Sequence, residues 1–436
     1  MYTLGQLPPE IICLIGEQLN SQSDRLHLIF SSRHMYNMLL PTLYSQVRLC
    51  DGHHDIETLA PFLNTILRSP ALAKEVQHLN VQDWGYSPWE KDLQARFDYN
   101  EYDSNLIENA DCGIPYSAEE REFQLQGLRK GDSDAWLALL IPHLNNLQSL
   151  DIAWPYEENK VNLMFSKAAE DKGCLFPHLQ EVYGAHCDTE GGVDSYYMNP
   201  FFNFPAMRKV SGNMIVEFEK EEIPGTPVKR CSGIEEIDLA LSNNEYGFRF
   251  WIQSCIALRS FRLDVGGPIV SSISIQSGYL QESLSYHKTT LERFWLRTDE
   301  ESDRDEDGGW IGSFAEFSAL KMLHVPFAML IDNLEAETHW ELEALLPPSL
   351  ESLYLCQCDS DLVILAIDQI ETLLGLRCLP KLTSLGLECY MPKESIRHRL
   401  SLLSKTCEEA GVTFVNLPPA QLETWDYLET VWPRHA

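Results

Sequence analysis

The cysteine and histidine residues of this chain are the first candidates for chemistry, because both side chains can hold a metal ion or take part in proton and group transfer. Cys356 and Cys358 are separated by one residue, and no second pair lies at zinc-finger spacing. His178, His186 and Cys187 lie close together in the sequence, but the repeat described below places them on different faces of one turn. The chain also has no phosphate-binding loop, no G-x-S-x-G elbow and no H-E-x-x-H helix. We therefore expect a protein that is not an enzyme and that has no metal and no cofactor.

A second group of residues suits binding rather than bond-making. It combines guanidinium groups with aromatic rings, as interface hot spots do, and clustered arginines bind carboxylates or phosphates through paired hydrogen bonds. Its members are Arg262, Arg293, Trp295, Arg297, His324 and Tyr354. Because they are far apart in the sequence, they can act together only if a regular fold aligns them.

Composition limits the classes of partner. The chain has 436 residues, of which 44% are hydrophobic, enough for a large core. Its formal net charge of -32 repels nucleic-acid phosphates and anionic lipids. It begins without a secretory signal, no apolar run is long enough to span a membrane, and its 12 cysteines fit reduced thiols. We expect a cytoplasmic or nuclear protein, or one found in both compartments, that binds neither nucleic acid nor membranes.

A six-residue pattern, apolar-x-x-apolar-x-apolar, organises most of the chain. Clear copies are LQSLDI at Leu147, IEEIDL at Ile234, LRSFRL at Leu258, LERFWL at Leu291, LKMLHV at Leu320, LESLYL at Leu350 and LTSLGL at Leu382. A weaker final copy, VTFVNL at Val412, places its fourth residue at Val415. Each copy alternates as a half-buried strand does, and helical stretches lie between copies, such as residues 361–376. Strand, helix and parallel strand together form one turn of a solenoid.

Stacked parallel strands lie about 4.8 Å apart and bring equal positions of the pattern into columns. The fifth positions then include Asp238 followed by Arg262, Trp295, His324 and Tyr354, so that the arginine-aromatic group becomes one patch on the concave strand face. One hypothesis is that this patch binds an acidic or phosphorylated segment of a protein substrate. The alternative is that its arginines pair with acidic residues of neighbouring columns, namely Glu236, Asp238 and Asp264.

Two acidic segments interrupt the pattern. Residues 83–135 form an insertion rich in acidic and aromatic residues, which indicates either a partly ordered segment or a partner contact. Residues 298–309 contain seven acidic side chains, a composition typical of a solvated loop. The alternative is that this second segment folds back over the arginines as an internal pseudo-ligand.

The strand-and-helix turns resemble leucine-rich repeats, of the irregular kind found in many fungal proteins. That family usually has Asn or Cys five positions after the fourth residue of the pattern. Here Cys187 and Cys358 hold that place, and most copies have another residue. The resemblance implies a curved solenoid with parallel strands inside and helices outside, and a surface that binds proteins.

The first fifty residues resemble the F-box, a short three-helix module. The L-P-x-E-I-[LI]-x-x-I opening of that family is matched by Leu7, Pro8, Glu10, Ile11, Ile12 and Ile15. Further matches follow in order and are Asp24, Leu26, Leu28, Ser32, Arg33, Tyr36, Leu43, Tyr44 and Val47. Arg25 and Ser31 depart from the family, which usually has apolar residues at these two places.

Together the two resemblances imply an α/β protein with an F-box at residues 4–49 and a leucine-rich-repeat solenoid at residues 50–436. They also imply a substrate-recognition adaptor of a ubiquitin ligase, which binds a Skp-type adaptor and through it a cullin. The implied adaptor-binding residues are Leu7, Pro8, Glu10, Ile11, Ile15 and Leu28. Two alternatives stay open: the first helices only close the solenoid, or the repeats form an interaction scaffold that has no role in ubiquitin transfer.

Overall fold

A computed structural model gives the fold of the chain. It describes Leu4, Trp84 and residues 7–19, 21–49, 55–82, 97–155, 160–170, 175–188, 191–217, 230–243, 246–266, 277–298, 309–331, 341–358, 362–389 and 394–417. The described residues form two compact units, the first ending at Ser211 and the second beginning at Gly212.

Three helices open the first unit, namely α1 (Pro9–Glu17), α2 (Gln22–Phe30) and α3 (Arg33–Ser45). Proline suits the first turn of α1, where its missing N–H leaves no hydrogen bond unmade. The hydroxyls of Ser21 and Ser32 accept hydrogen bonds from the first turns of α2 and α3. The three helices enclose a hydrophobic cluster of their own, formed by Ile12, Ile29, Met35 and Leu39.

Six strands follow the three helices in the chain. They are β1 (Gln46–Leu49), β2 (His78–Val81), β3 (Ser149–Trp154), β4 (Glu181–His186), β5 (Val193–Asp194) and, at the end of the unit, β6 (Lys209–Asn213). Strands β1 to β4 are neighbours in chain order and run parallel. The helices that connect strands are α4 (Asp55–Arg68), α5 (Pro70–Ala73), α6 (Ser104–Glu108), α7 (Ala118–Lys130), α8 (Ser133–Leu140) and α9 (Lys160–Glu170).

The described part of the insertion, residues 97–135, packs within the first unit. The rings of Phe97, Tyr99 and Tyr102 lie 5.4 to 6.3 Å from the ring of Trp136, which is fully buried in α8. These three aromatic residues therefore belong to an ordered part of the insertion and pack internally. Residues 83 and 85–96 of the insertion lie outside the described residues.

The second unit continues the same pattern of parallel strands. Its strands are β7 (Ile215–Val216), β8 (Glu236–Ser242), β9 (Ser260–Val265), β10 (Arg293–Arg297), β11 (Met322–Pro326), β12 (Ser352–Cys358), β13 (Ser384–Cys389) and β14 (Thr413–Leu417). Strands β8 to β14 are neighbours in chain order. The helices of this unit are α10 (Arg249–Ser254), α11 (Ser277–Leu284), α12 (Phe327–Leu330), α13 (Leu342–Leu345), α14 (Leu362–Leu376) and α15 (Glu394–Glu409).

The register of the strands confirms the repeat spacing, with one error at its end. In the second unit the fourth residues of successive copies lie side by side, from Ile237 through Phe261 and Phe294 to Leu385. The last copy is shifted by one residue, because Leu385 lies beside Phe414 and not beside Val415. Both are apolar, so alternation alone could not choose between them. Residues 46–49, which we expected to close the three-helix segment, instead form strand β1 and pair with β2.

Candidate interaction sites

The first candidate site lies on the three N-terminal helices, and we call their exposed apolar side chains together the N-terminal apolar face. It consists of large apolar side chains that are 42 to 72% exposed, and these are Ile11, Leu14, Phe30 and Tyr36. Ile11 and Leu14 are three residues apart in α1 and so share one side of that helix, while Ile12 points into the cluster shared by the three helices. This division leaves two apolar surfaces on one short helix, one used internally and one exposed.

The six residues proposed for adaptor binding divide between exposed and half-buried positions. Pro8, Glu10 and Ile11 are exposed, and Leu7, Ile15 and Leu28 are half-buried. Leu7 and Leu28 also pack against the internal cluster. The six adaptor-binding residues implied by the resemblance do not include Leu14 and Phe30, although Leu14 follows Ile11 at helical spacing.

Arg25, one of the two departures from the F-box pattern, has a structural contact. Its Nε atom donates a hydrogen bond of 2.7 Å to the carbonyl oxygen of Leu19, just beyond the end of α1. A charged donor strengthens this bond, because hydrogen bonds from an ionised group are stronger than those between neutral groups. Arg25 therefore ties the end of α1 to α2, and its side chain is half-buried rather than displayed on the exposed face.

The second candidate site is the strand face of the second unit, where flat side chains stack from strand to strand. The guanidinium carbon of Arg262 lies 5.4 Å from the ring centre of Trp295. The rings of Trp295 and His324 are stacked at 3.5 Å, and those of His324 and Tyr354 at 4.4 Å. We call these four residues the stacked ladder. Because flat groups cover one another, each of the four is at most 5% exposed.

Every arginine of the predicted patch has a carboxylate partner. Arg262 lies 2.5 Å from Asp264 and 3.6 Å from Asp238, and Arg293 lies 3.2 Å from Glu236. These are the pairs that the second interpretation of the patch named. Arg297 adds a pair that the sequence did not indicate, at 3.2 Å from the fully buried Glu388.

His324 is the least satisfied polar group of the ladder. Burial lowers the pKa of His324 well below its usual range, and the neighbouring Arg297 and Arg262 lower it further. The imidazole is therefore neutral near pH 7. Neither ring nitrogen has a hydrogen-bond partner within the described structure, which costs free energy in a buried position.

The structure brings the six predicted substrate-binding residues together but leaves little of them accessible. Only Arg293 and Arg297 are partly exposed, at 22 and 21% of their side-chain surface. A partner can reach the other four only after a rearrangement, because their surface is used for stacking and ion pairing. Substrate contact by these six residues stays a prediction.

The residues first considered for metal binding do not assemble in the described part of the chain. No group of three or more metal-ligating side chains occurs among those residues. Cys356 and Cys358 are both buried, and burial raises the pKa of the Cys356 thiol well above its usual range. Residues 299–308, which make up most of the acidic segment proposed as a pseudo-ligand, lie outside the described residues.

Parallel strands that share one register, each followed by a helix or an irregular turn, define a solenoid repeat protein. Comparison with protein families matches residues 159–376 to the leucine-rich repeat domain, so the chain belongs to the leucine-rich repeat family. No curated protein matches the chain. Among the helices that the structure describes, none has the length and apolar character needed to cross a membrane.

Proposed function

We propose that this protein is a substrate-recognition adaptor of a Skp/cullin/F-box ubiquitin ligase. In this proposal the N-terminal apolar face binds a Skp-type adaptor, which in turn binds a cullin, and the leucine-rich repeats bind a protein substrate. The chain itself carries out no chemistry. It raises the effective concentration of the substrate near the ubiquitin-conjugating enzyme.

One observation supports the proposal most strongly: the N-terminal helices have an internal core and, separately, an exposed apolar face. A helical segment that only closes a solenoid buries its apolar stripe against the first repeat and shows a polar outer side. Here Phe30 is 72% exposed and Leu14 is 53% exposed, although the internal cluster is complete without them. Apolar side chains displayed in this way are typical of a protein-binding surface.

The contact of Arg25 bears on the same proposal. An arginine in place of an apolar residue would weaken adaptor binding if it broke the packing of the helices. Its hydrogen bond to Leu19 instead holds α1 and α2 together, so that this departure is compatible with an intact module.

The repeats support the proposal that the chain binds a protein substrate, but only at the level of the repeat family. Leucine-rich repeats indicate protein–protein interaction. Each arginine of the predicted patch already has a carboxylate partner, so this patch attracts an acidic or phosphorylated segment less than the sequence pattern suggests.

The test is co-purification of a Skp-type adaptor with the full chain and with the double variant Ile11→Asp, Leu14→Asp. Each side chain contributes about 1.5 to 3 kcal/mol when fully buried in an interface, so the variant should lose at least about a hundredfold in affinity. The matched control is Leu376→Asp, Leu402→Asp, which alters two equally exposed leucines of α14 and α15. A complex that survives in the first variant, or that never forms with the wild type, would leave a repeat scaffold without a role in ubiquitin transfer.

A further inference from the structure

The end of strand β8 contains a bulge around Leu241. Leu239 lies beside Leu263 on β9, but the register then shifts, because Ser242 and not Leu241 lies beside Val265. One extra residue in β8 causes this shift. Leu241 has a φ angle of 46°, in the left-handed region that bulky side chains rarely adopt. Such a conformation costs free energy, so its presence needs a reason.

Hydrogen bonds on both sides of Leu241 hold the bulge in place. The carbonyl oxygen of Ala240 accepts from the backbone N–H of Met214, at 3.0 Å, and from the hydroxyl of Ser242, at 2.9 Å. That hydroxyl in turn accepts from the N–H of Ile215, at 3.1 Å. Met214 is itself an apolar residue with a φ angle of 58°. The surrounding backbone therefore fixes the strained conformation, which is the condition under which strain persists in a folded protein.

The side chain of Leu241 is accessible. It is 51% exposed, although it is apolar and belongs to a strand. One side of it lies over Gly266, directly after β9, where a Cβ atom would come within 3.3 Å of Leu241 Cδ2. Because the fixed backbone and Gly266 both restrict this side chain, it loses little conformational freedom when a partner covers it.

Folding alone does not favour a leucine at this position. Glycine and asparagine adopt a positive φ angle at a lower cost than leucine does. A half-exposed leucine also gains only part of the hydrophobic stabilisation of a buried one. An exposed leucine with ordinary backbone angles needs no explanation, but Leu241 is both exposed and strained. Strained residues concentrate at ligand contacts, so this combination indicates a binding role.

The geometry of a single exposed leucine suits an extended peptide segment. In such a segment, side chains two residues apart lie on the same face, about 7 Å from each other, which leaves room for an apolar side chain between them. The net charge of -32 repels anionic lipids and attracts a segment whose flanking residues are basic. A protein segment therefore fits this place better than a membrane surface does.

We infer that Leu241 is a substrate-contact residue, which inserts between two large apolar side chains of an extended segment of a partner protein. This inference rests on the proposed function, because it names the class of segment that the repeats hold. It places the contact at the end of β8 and outside the stacked ladder, whereas the sequence pattern indicated the ladder and an acidic substrate.

The test is fluorescence anisotropy with two labelled 12-residue peptides that have the same lysines at their ends. The central part of one peptide alternates leucine with serine, and that of the other contains only serine. The full chain should bind the leucine peptide more tightly, and Leu241→Asn should weaken that binding about fivefold. The control is Ile256→Asn, which alters a residue of the same unit that is 49% exposed, and it should change the affinity less than twofold.

Urea denaturation separates a binding role of Leu241 from a structural one. Asparagine and glycine both tolerate a positive φ angle, so Leu241→Asn and Leu241→Gly should leave the midpoint of unfolding unchanged or raise it. A clear fall of the midpoint in both variants would overturn the inference, because it would show that the leucine is retained for packing.

Three further results would overturn the inference. They are equal affinity for the two peptides, an equal loss with Ile256→Asn, and self-association of the wild type that Leu241→Asn abolishes, which would make a second copy of the chain the occupant. Co-purification of the Skp-type adaptor should be the same for wild type and Leu241→Asn, since the adaptor uses the N-terminal apolar face. Failure of the wild type to bind the adaptor would reject the proposed function and leave the peptide result to be judged separately.

Discussion

The strand faces of the two units share a backbone pattern and differ in what their side chains do with it. In the first unit, short polar side chains form hydrogen bonds to the neighbouring strand, as Asn80 does to Asp151, and stay in contact with water. In the second unit, the corresponding position of the repeat pattern holds Arg262, Trp295, His324 and Tyr354, which stack and exclude water. Strands about 4.8 Å apart allow both outcomes, because flat groups can close the gap by stacking and small polar groups cannot. The first face therefore keeps its polar groups in contact with water, whereas the second face buries its polar groups in a packed stack.

The largest expected effect comes from the ion pair at the end of the second face. Arg297→Ala removes the guanidinium group that lies 3.2 Å from the fully buried Glu388 and should lower the free energy of unfolding by about 3 kcal/mol, measured by urea denaturation. Arg259→Ala is the matched control, because the Arg259 side chain is 59% exposed and pairs with Glu235 and Glu292. Its cost should stay below about 1 kcal/mol. Equal costs would contradict the burial of the Arg297 pair.

Glycine substitutions compare how rigid the two units are. A Cβ atom at Gly386 would overlap the ring of Tyr354, which His324 holds from its other side, so Gly386→Ala should cost about 2 kcal/mol. In the first unit, a Cβ at Gly184 would lie 2.6 Å from the sulfur of Met198. That flexible side chain can move aside, so Gly184→Ala should cost clearly less.

Gly375→Ala serves as the control for both glycine variants. Nothing lies within 4 Å of a Cβ at Gly375, which is in α14, so this change should be neutral or slightly stabilising. Thermal unfolding of the three variants gives the order. A Gly386→Ala protein as stable as the wild type would show that the ladder is loosely packed.

Acidification should weaken the second face through His324. The pKa of His324 in the folded protein is lowered by burial and by the two arginines, while in the unfolded chain it is close to 6.5. Below about pH 6.5 the unfolded chain therefore binds a proton that the folded protein does not, and the free energy of unfolding falls, by at most about 1.4 kcal/mol per pH unit.

The comparison of wild type with His324→Phe isolates this contribution. His143 and His287 have pKa values lowered by burial and act in the same direction, and the pKa of Asp134, which burial raises to about 6, acts in the opposite direction. These groups are common to both proteins and cancel in the difference. Urea denaturation at pH 7 and pH 5 should show a smaller loss in the variant, and identical losses would refute the assignment.

The smallest expected effects are those of two histidine substitutions, which should change the free energy of unfolding in opposite directions on the two strand faces. At pH 7, His324→Phe keeps a ring in the stack and removes two buried nitrogens without partners, so it should stabilise the protein by about 1 kcal/mol. In the first unit, His78→Phe removes the hydrogen bond between His78 on β2 and Ser149 on β3 and should destabilise the protein by a similar amount. The same sign for both would mean that hydrogen bonding does not distinguish the faces.

Much of the fold could be predicted from spacing, because a parallel repeat imposes one rule on many strands. The positions from Ile237 to Leu385 follow that rule, and the stripe of Ile396, Leu400, Leu403 and Cys407 lies buried in α15 as its helical spacing indicates. The spacing rule fails where a strand is very short or where two adjacent residues are both apolar. It misses β1, a strand of only four residues, and it misplaces β14 by one residue where two apolar neighbours compete.

The candidate sites were less predictable than the fold. The column that joins Arg262 to Tyr354 follows from the pattern, but whether its side chains stay accessible depends on stacking and ion pairing, which spacing does not report. The partner of Arg297 shows the limit most clearly, since Glu388 is 91 residues away and belongs to a strand three places along. On the N-terminal apolar face, helical spacing would have identified Leu14, whereas the exposure of Phe30 depends on how α2 and α3 meet.

The most direct test of the central claim, that the N-terminal apolar face binds the adaptor while the stacked ladder is a rigid support, is hydrogen–deuterium exchange of the full chain with and without a Skp-type adaptor. The proposal predicts slower exchange of backbone amides in α1, α2 and α3 when the adaptor is present, with β9 to β13 unchanged. Slower exchange in β9 to β13, with none in the three helices, would contradict it.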